Sequence, residues 1–541
     1  MKNRIKEIVQ ASIKTAYPKT GDFNFSVEGT NPKFGDYATN VAMVLRKRVG
    51  KSPEEIAQKI VDSIVSDETF EKVEVVKPGF ISGACKASLQ RRGEATCFIN
   101  FKIAIPYLQN KISEIIVAGE KYGDSDLGTD LKVNVEFISA NPTGPLTLGN
   151  GRGGYTGDCL ANVLESFGAK VEREYYINDQ GAQILKLGHS VLKDTQAVYK
   201  GAYIDEVASK IKSEDPMEAG QQAAAIFMEK SIKKTILKMG IKFDHWFSQN
   251  ALYKGAIEDA IGMLESNKMT YKKEGALWLK TTENGDDKDR VLITKEGEYT
   301  YFASDIAYHW DKIRRGYNLL IDFWGADHHG YVGRMMAAIE ILRKEADWSG
   351  ELKIMIAQLV RLISKGQEVK MSKRAGTFVT LDELIDEVGP DVTRFFFLER
   401  ALNTHMDFDL DLAKEKSEKN PVYYVQYAYA RIHSILAKSK IKKQISKSDL
   451  DLIKKPAEIS LIKELIKLPD IIIETAEDYQ VQRLPYYAIE LATKFHNFYE
   501  QCRVISEDEN LTMARIALIK ATQTVLKKTL DLMGISAPEK M

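Results

Sequence analysis

The stretch NPTGPLTLGNGRGGYTGD, residues 141–158, is dense in glycine, follows a strand-like run and leads into an amphipathic helical pattern. Backbone amides at a helix start, with glycine letting a ligand come close, suit a phosphate. Gly149, Gly151 and Gly154 also satisfy the G-x-G-x-x-G spacing of dinucleotide-binding enzymes. In that fingerprint the first glycine closely follows the strand, whereas here SANPTGPLTL separates Ile138 from Gly149, which argues against a nicotinamide dehydrogenase. A second stretch, QEVKMSKRAGTFVTLDEL (367–384), places Lys370, Met371, Ser372, Lys373 and Arg374 in a polar loop. Alone, such a run reads as a solvated basic loop. Paired with the P-x-x-L-G-x-G loop upstream, its lysines suit displacement at phosphorus, which needs positioning and charge neutralisation more than covalent help. WGADHHG (324–330) sets an acid beside two histidines. Adjacent histidines rarely share one ion, and with no further ligand cluster in the sequence no metal site is expected.

These stretches need elements to hold them. LKVNVEFI (131–138) alternates Leu131, Val133, Val135 and Phe137 as a strand does. Tyr155, Cys159, Leu160, Val163, Leu164 and Phe167 then recur at helical intervals, Gly168 suits the stop, and KVEREYYI reads as the next strand. This is a βαβ unit, the building block of a Rossmann-type doubly wound parallel sheet. NLLIDFW (318–324) and KIMIAQLVRLI (353–363) are further strand-like segments, and residues 185–295 read as a mostly helical insertion. The first hundred residues suit a small α+β domain: Ile5, Ile8, Val9 and Ile13 lie at helical spacing, Ser52-Pro53-Glu54-Glu55 is a helix start, and NPKFGDYATNVAM is a turn into a helix. From about Asn420 onward long helical patterns predict an all-α bundle. The expected class is therefore α/β and α.

Bulk properties agree. A chain of 541 residues, 44% hydrophobic and 28% charged, suits a soluble globular protein of two to four domains. Lysine plus arginine number 76 and aspartate plus glutamate 76, so net charge does not decide about nucleic acid. Cys85, Cys97, Cys159 and Cys502 form no C-x-x-C pair, which suits a reducing compartment. No apolar run suggests a signal peptide or membrane span, so a cytoplasmic protein is expected.

The P-x-x-L-G-x-G loop and KMSK together resemble the HIGH and KMSKS motifs of class I aminoacyl-tRNA synthetases. GDYATNVA, VEFISANPTGPLTLGNGRG, YYINDQGAQI, WGADHHGYVGR, the DFDLDLA and NPVYYVQYAYARI runs and the closing MGISAPEKM are similar, over nearly the whole chain, to the arginyl-tRNA synthetase family. The resemblance implies a tRNA-elbow domain over 1–115, a catalytic domain over 116–415 with its KMSK loop at 367–377, and a helical anticodon-binding domain over 416–541. It implies that L-arginine is activated by ATP, with Mg2+ as the nucleotide's partner, and moved to the 3′-terminal adenosine of arginine tRNA. By resemblance, Thr147, Asn150, Lys370 and Lys373 serve catalysis, Lys373 foremost. Gly149, Gly151, Gly325, Asp327, His328, Met371 and Ser372 would hold ATP. Glu136, Asn141, Tyr301 and Asp305 would hold arginine, with the Asp305 carboxylate on the guanidinium. Tyr37, Asn40, Tyr423, Gln426, Tyr427, Arg431 and Met541 would contact tRNA. A monomer is expected, without a membrane partner.

Two departures stand out. The HIGH motif reads Thr147-Leu148-Gly149-Asn150, so both histidines are replaced by groups that donate hydrogen bonds without titrating. The family's P-G-F-I-N-F run is split between Ile81 and Asn100, with residues 82–99 expected as an inserted surface loop that carries Cys85, Cys97, Arg91 and Arg92. The first departure keeps open a binding paralogue without catalysis. A synthetase for another amino acid would need a pocket other than Tyr301 and Asp305.

Overall fold

A computed structural model of the chain describes residues 1–21, 23–65, 67–76, 97–369, 379–439 and 447–541. At the N-terminus β1 (Val27–Gly29), β2 (Tyr37–Thr39), β3 (Phe70–Val76) and β4 (Phe98–Ile103) form an antiparallel sheet in the order β1-β2-β4-β3. Helices Lys2–Ala16, Val41–Val49 and Pro53–Asp62 accompany it, and Ser52 and Glu55 close the expected capping box. Three expectations change here. Tyr37–Thr39 is a strand rather than a turn, held by pairing to β1 and β4 on both edges. Phe98 and Ile99 belong to β4, which shortens the expected 82–99 loop from its end. The boundary at 115/116 cuts helix Ile105–Ala118, which packs on the C-terminal helices Pro456–Leu465 and Glu509–Met533.

The central sheet is doubly wound. β5 (Lys132–Glu136), β6 (Lys170–Ile177), β7 (His245–Ser248), β11 (Leu319–Gly325) and β12 (Glu351–Ala357) run parallel in the order β12-β11-β5-β6-β7. The order reverses between β5 and β11, and in such sheets ligands sit beyond the carboxyl ends of the strands at that point. The expected 185–295 insertion is two excursions, because β7 returns to the sheet between them. The first is helical, with its own core around Ile184, Leu187, Ile204 and Phe227. The second carries the antiparallel strands β8 (Thr270–Lys273), β9 (Ala276–Leu279) and β10 (Arg290–Ile293).

KIMIAQLVRLI is not one strand. It breaks after β12, and β13 (Val360–Ser364) joins β14 (Gln367–Glu368) and β15 (Met406–Asp409) in a separate sheet. The 401–406 segment captures the chain at the break: Gln358 N donates to Leu402 O at 3.0 Å and Met406 N to Leu359 O at 3.2 Å.

Helix Leu148–Ser166 lies against β5, and two glycines allow the close approach. A Cβ on Gly157 would stand 2.5 Å from the Phe137 ring, and one on Gly154 2.9 Å from Ile138. The C-terminal helices Pro421–Lys438, Arg483–Gln501 and Glu509–Met533 form the expected bundle. Buried Arg394 ties it to the catalytic helix, donating to Met533 O and pairing with Asp158.

Candidate active site

Beyond Glu136, the last residue of β5, the backbone turns through Ile138 (φ 67°) and Ser139 (φ 34°), non-glycine residues in left-handed conformations. Strain of this kind persists only where surroundings hold it. Here Ser139 Oγ donates to Glu136 Oε1 at 2.9 Å and accepts from Tyr176 N at 3.1 Å. The chain then enters helix Leu148–Ser166 through Thr147 as N-cap. Asn150 Oδ1 accepts from Thr147 N at 2.9 Å and from Thr147 Oγ1 at 2.8 Å. The threonine hydroxyl proton, expected for a phosphate, is thus used on Asn150. The Asn150 amide hydrogens meet no acceptor among the described residues.

Two cavities adjoin at this helix start. The first, about 360 Å³, is lined by the four residues expected to hold arginine, Glu136, Asn141, Tyr301 and Asp305. The second, about 430 Å³, is lined by Gly149, Gly153, Gly325, Asp327 and an apolar rim of Ala357, Leu359, Val360 and Val379. They share a wall of Ile138, Thr147, Asn150, Trp324, Gly325 and Asp327. Two residues expected to hold ATP do not line the second cavity. His328 lines the first cavity and not the second. Gly151 lines neither; a Cβ there would stand 2.7 Å from Leu381, so it lies against helix Leu381–Val388. Gly153, missed in the sequence, shares the face of Gly149 because four residues make about one turn. Lys370, Met371, Ser372 and Lys373 lie outside the described residues; Val379, just after them, stands on the second cavity's rim.

Charge is arranged beneath the first cavity. Lys312 is fully buried and its ammonium donates to Glu136 Oε2 at 2.6 Å and Asp322 Oδ1 at 2.9 Å. His309 Nε2 lies 2.8 Å from Asp322 Oδ2, and its Nδ1 lies 2.8 Å from the carbonyl of Asp305. Burial penalises the Asp322 charge, but Lys312 and His309 more than offset it and hold that carboxyl below the usual range. Burial raises Glu136 and Lys312 opposes it. Asp305, on the cavity wall, forms no ion pair with the described residues. Burial pushes its carboxyl up to about 7, with Glu136 and Asp322 acting the same way, while Tyr331 and His309 oppose. Among the described residues no lysine or arginine pairs with the Asp305 carboxylate.

Glu172, Glu174 and His245 also come close enough to share an ion, a grouping the sequence did not reveal. Arg315 occupies it: its Nη1 lies 3.0 Å from Glu172, 2.6 Å from Glu174 and 3.0 Å from His245 Nδ1.

The expected RNA contacts divide. Tyr37 is buried in the N-terminal core, 6% exposed, and therefore unable to stack on a base. Asn40 caps helix Val41–Val49 and accepts from Ser26 N at 2.9 Å. Gln426 donates to Asp391 at 2.8 Å and to Ser536 O at 3.0 Å, holding the C-terminal tail in place. Met541 is exposed. The buried residues of helix Pro421–Lys438 are Val422, Val425, Ala428, Tyr429, Ala430 and Ile432, whereas Tyr423 and Tyr427 are half-buried. Those two rings stack 6.2 Å apart, and the Arg431 guanidinium lies 4.7 Å from both Tyr427 and Tyr499. His496 and Tyr499, from helix Arg483–Gln501, extend this half-exposed patch. No local pattern could have joined them to a helix some 70 residues earlier.

Comparison with known proteins agrees in every part of the chain. Residues 3–82 match the arginyl tRNA synthetase N terminal domain, 111–401 the class I (R) tRNA synthetase catalytic domain, and 425–541 the DALR anticodon binding domain. Arginine–tRNA ligase of Aquifex aeolicus is 39% identical over 606 aligned positions, covering 100% of both chains. That of Citrifermentans bemidjiense is 41% identical over 535 positions, 94% of this chain and 93% of its own. The solved arginyl-tRNA synthetase of Thermus thermophilus superposes with a TM-score of 0.78 over 100% of both chains at 20% identity, a likeness of fold. With a class I catalytic domain between the family's own N-terminal and anticodon-binding modules, the chain belongs to the arginyl-tRNA synthetases, the class I enzymes that ligate arginine to tRNA.

Proposed function

We propose that the first cavity binds L-arginine and the second ATP, with reaction at their common wall. The observation that carries this is the shared wall itself, where a cavity ending in an uncompensated carboxylate meets a glycine-lined one at a helix N-terminus. The guanidinium lies on Asp305, with Tyr301 on the same helix at the cavity mouth. Glu136 and Asn141 hold the amino and carboxylate end. Both Glu136 oxygens already accept a hydrogen bond, from Ser139 and Lys312, so its orientation is fixed before substrate arrives. The purine lies on the apolar rim of the second cavity.

In the first step an arginine carboxylate oxygen attacks the α-phosphorus of ATP, the α–β bridging bond breaks, and pyrophosphate leaves with its electron pair. The helix amides and the Asn150 amide hydrogens stabilise the charge that develops on the phosphate oxygens. Lys370 and Lys373 neutralise the leaving pyrophosphate. In the second step a hydroxyl of the terminal adenosine of tRNA attacks the arginyl carbonyl and AMP departs. Asp327 is the one carboxylate on the second cavity's described lining, too few for a caged ion, so magnesium arrives with the nucleotide. The N-terminal α+β region, the doubly wound sheet region and the C-terminal helical bundle recognise the tRNA elbow, perform the chemistry and read the anticodon, the last through Tyr423, Tyr427 and Arg431.

The test is charging of total tRNA with each of the twenty amino acids in ATP and magnesium. Attachment of arginine alone supports the reading. Attachment of another amino acid overturns the Asp305 assignment. Binding of tRNA with no attachment identifies a paralogue that lost catalysis with its histidines.

A further inference from the structure

Tyr331 ends the short Ala326–Tyr331 turn after β11, the same turn that sends Asp327 and His328 to the cavities. Its hydroxyl donates to Asp305 Oδ2 at 2.5 Å, joining that turn to helix Tyr301–Arg314. The ring is boxed in, with Trp324 at 5.9 Å, Phe302 edge-on at 6.1 Å and the Arg334 guanidinium 4.9 Å from its centre. The other carboxylate oxygen, Oδ1, accepts no hydrogen bond from the described residues. A carboxylate free to rotate would present its lone pairs in many directions. One tied at Oδ2 by a rigid donor offers Oδ1 in a single direction, as a planar guanidinium requires.

We propose that Tyr331 is a positioning residue that orients Asp305 for the guanidinium of arginine and thereby contributes to side-chain specificity. The proposal rests on the reading of Asp305 given above. Burial and the neighbouring Asp305 both raise the phenol's titration, so it remains a donor at any working pH. Other polar groups face Asp305 from each side: Glu136 from β5, Tyr176 from β6, Asp322 from β11, and Tyr301 and His309 from its own helix. Among the described residues, Tyr331 alone donates a side-chain hydrogen bond to the carboxylate.

Tyr331→Phe keeps the ring and its packing and removes only the donor. Charging kinetics on the full chain should show the arginine KM rising about tenfold with kcat within about threefold, the loss expected for a hydrogen bond to a charged group. The ATP KM should stay unchanged, which also reports an intact fold. The acidic limb of kcat/KM for arginine should move to higher pH, because the donor that favours the ionised carboxyl is gone. In an Asp305→Asn background, Tyr331→Phe should cost little more. An unchanged arginine KM in Tyr331→Phe alongside a large rise in Asp305→Asn would overturn the proposal, as would losses that simply multiply in the double variant. An unchanged arginine KM in Asp305→Asn would instead sink the pocket reading beneath it.

Discussion

Moving from about pH 8 to about pH 6 should weaken arginine use through one group, Asp305. In the empty cavity its carboxyl titrates at about 7, because burial and the nearby Glu136 and Asp322 oppose its charge. A guanidinium binds the ionised form, so below that pH each unit adds about 1.4 kcal/mol to binding, or tenfold in the arginine KM. Above it the KM should level off. The same shift affects stability. Because the folded carboxyl titrates above its ordinary value of 3.8, the folded state holds the proton more tightly than the unfolded chain does between about pH 4 and pH 7. Stability of the empty protein therefore falls as pH rises through that window, by roughly 4 kcal/mol in total, and a bound guanidinium restores it. Two assays follow: arginine KM in charging at saturating ATP and tRNA, and the rise in Tm that arginine produces, which should be larger at pH 8 than at pH 6. Asp305→Asn should show neither pH dependence and should lose about 100-fold or more in kcat/KM. Burial lowers the titration of neighbouring His309 and Asp322 raises it by more; that variant separates the two groups. A KM constant from pH 6 to pH 8, or a slope that survives in Asp305→Asn, would refute the reasoning.

Other expectations can be checked on the same protein. Lys312→Met strands Glu136 and Asp322 in the interior and should cost about 3–5 kcal/mol in denaturant unfolding, with part recovered by adding Asp322→Asn. Asn150→Asp keeps the acceptor that Thr147 uses but turns the facing donors into a negative charge. Charging kcat should fall about 100-fold or more, with Tm little changed. Asn150→His should remain active and gain an acidic limb near neutral pH that the natural residue lacks. Gly157→Ala forces a methyl onto the Phe137 ring and should destabilise by about 1–3 kcal/mol in a thermal or urea melt, without a specific change in either substrate KM.

Much of this molecule is written locally. The alternation of Val133, Val135 and Phe137, the glycine-rich loop and the apolar spacing from Tyr155 to Phe167 determine a strand, a glycine-rich turn and a helix with no outside help. Ser52 and Glu55 do the same for a helix start. The family's glycine-loop motif lies on these local elements, which is why that part of the chemistry is legible before the fold. What periodicity cannot state is which partner a face will meet. Gly151 and Gly153 look alike in the sequence, and only the placement of helix Leu381–Val388 sends one to a packing contact and leaves the other on the cavity. Tyr37 and Tyr427 are both tyrosines in polar company, yet pairing on two strand edges buries one while the other stays half-buried. The charge balance of the pocket is the furthest from the sequence. Lys312 meets Glu136 across 176 residues of chain, while Asp305 forms no ion pair with the described residues. Electrostatic partners inside a protein are chosen by distance in space, and distance in space is set by the tertiary fold.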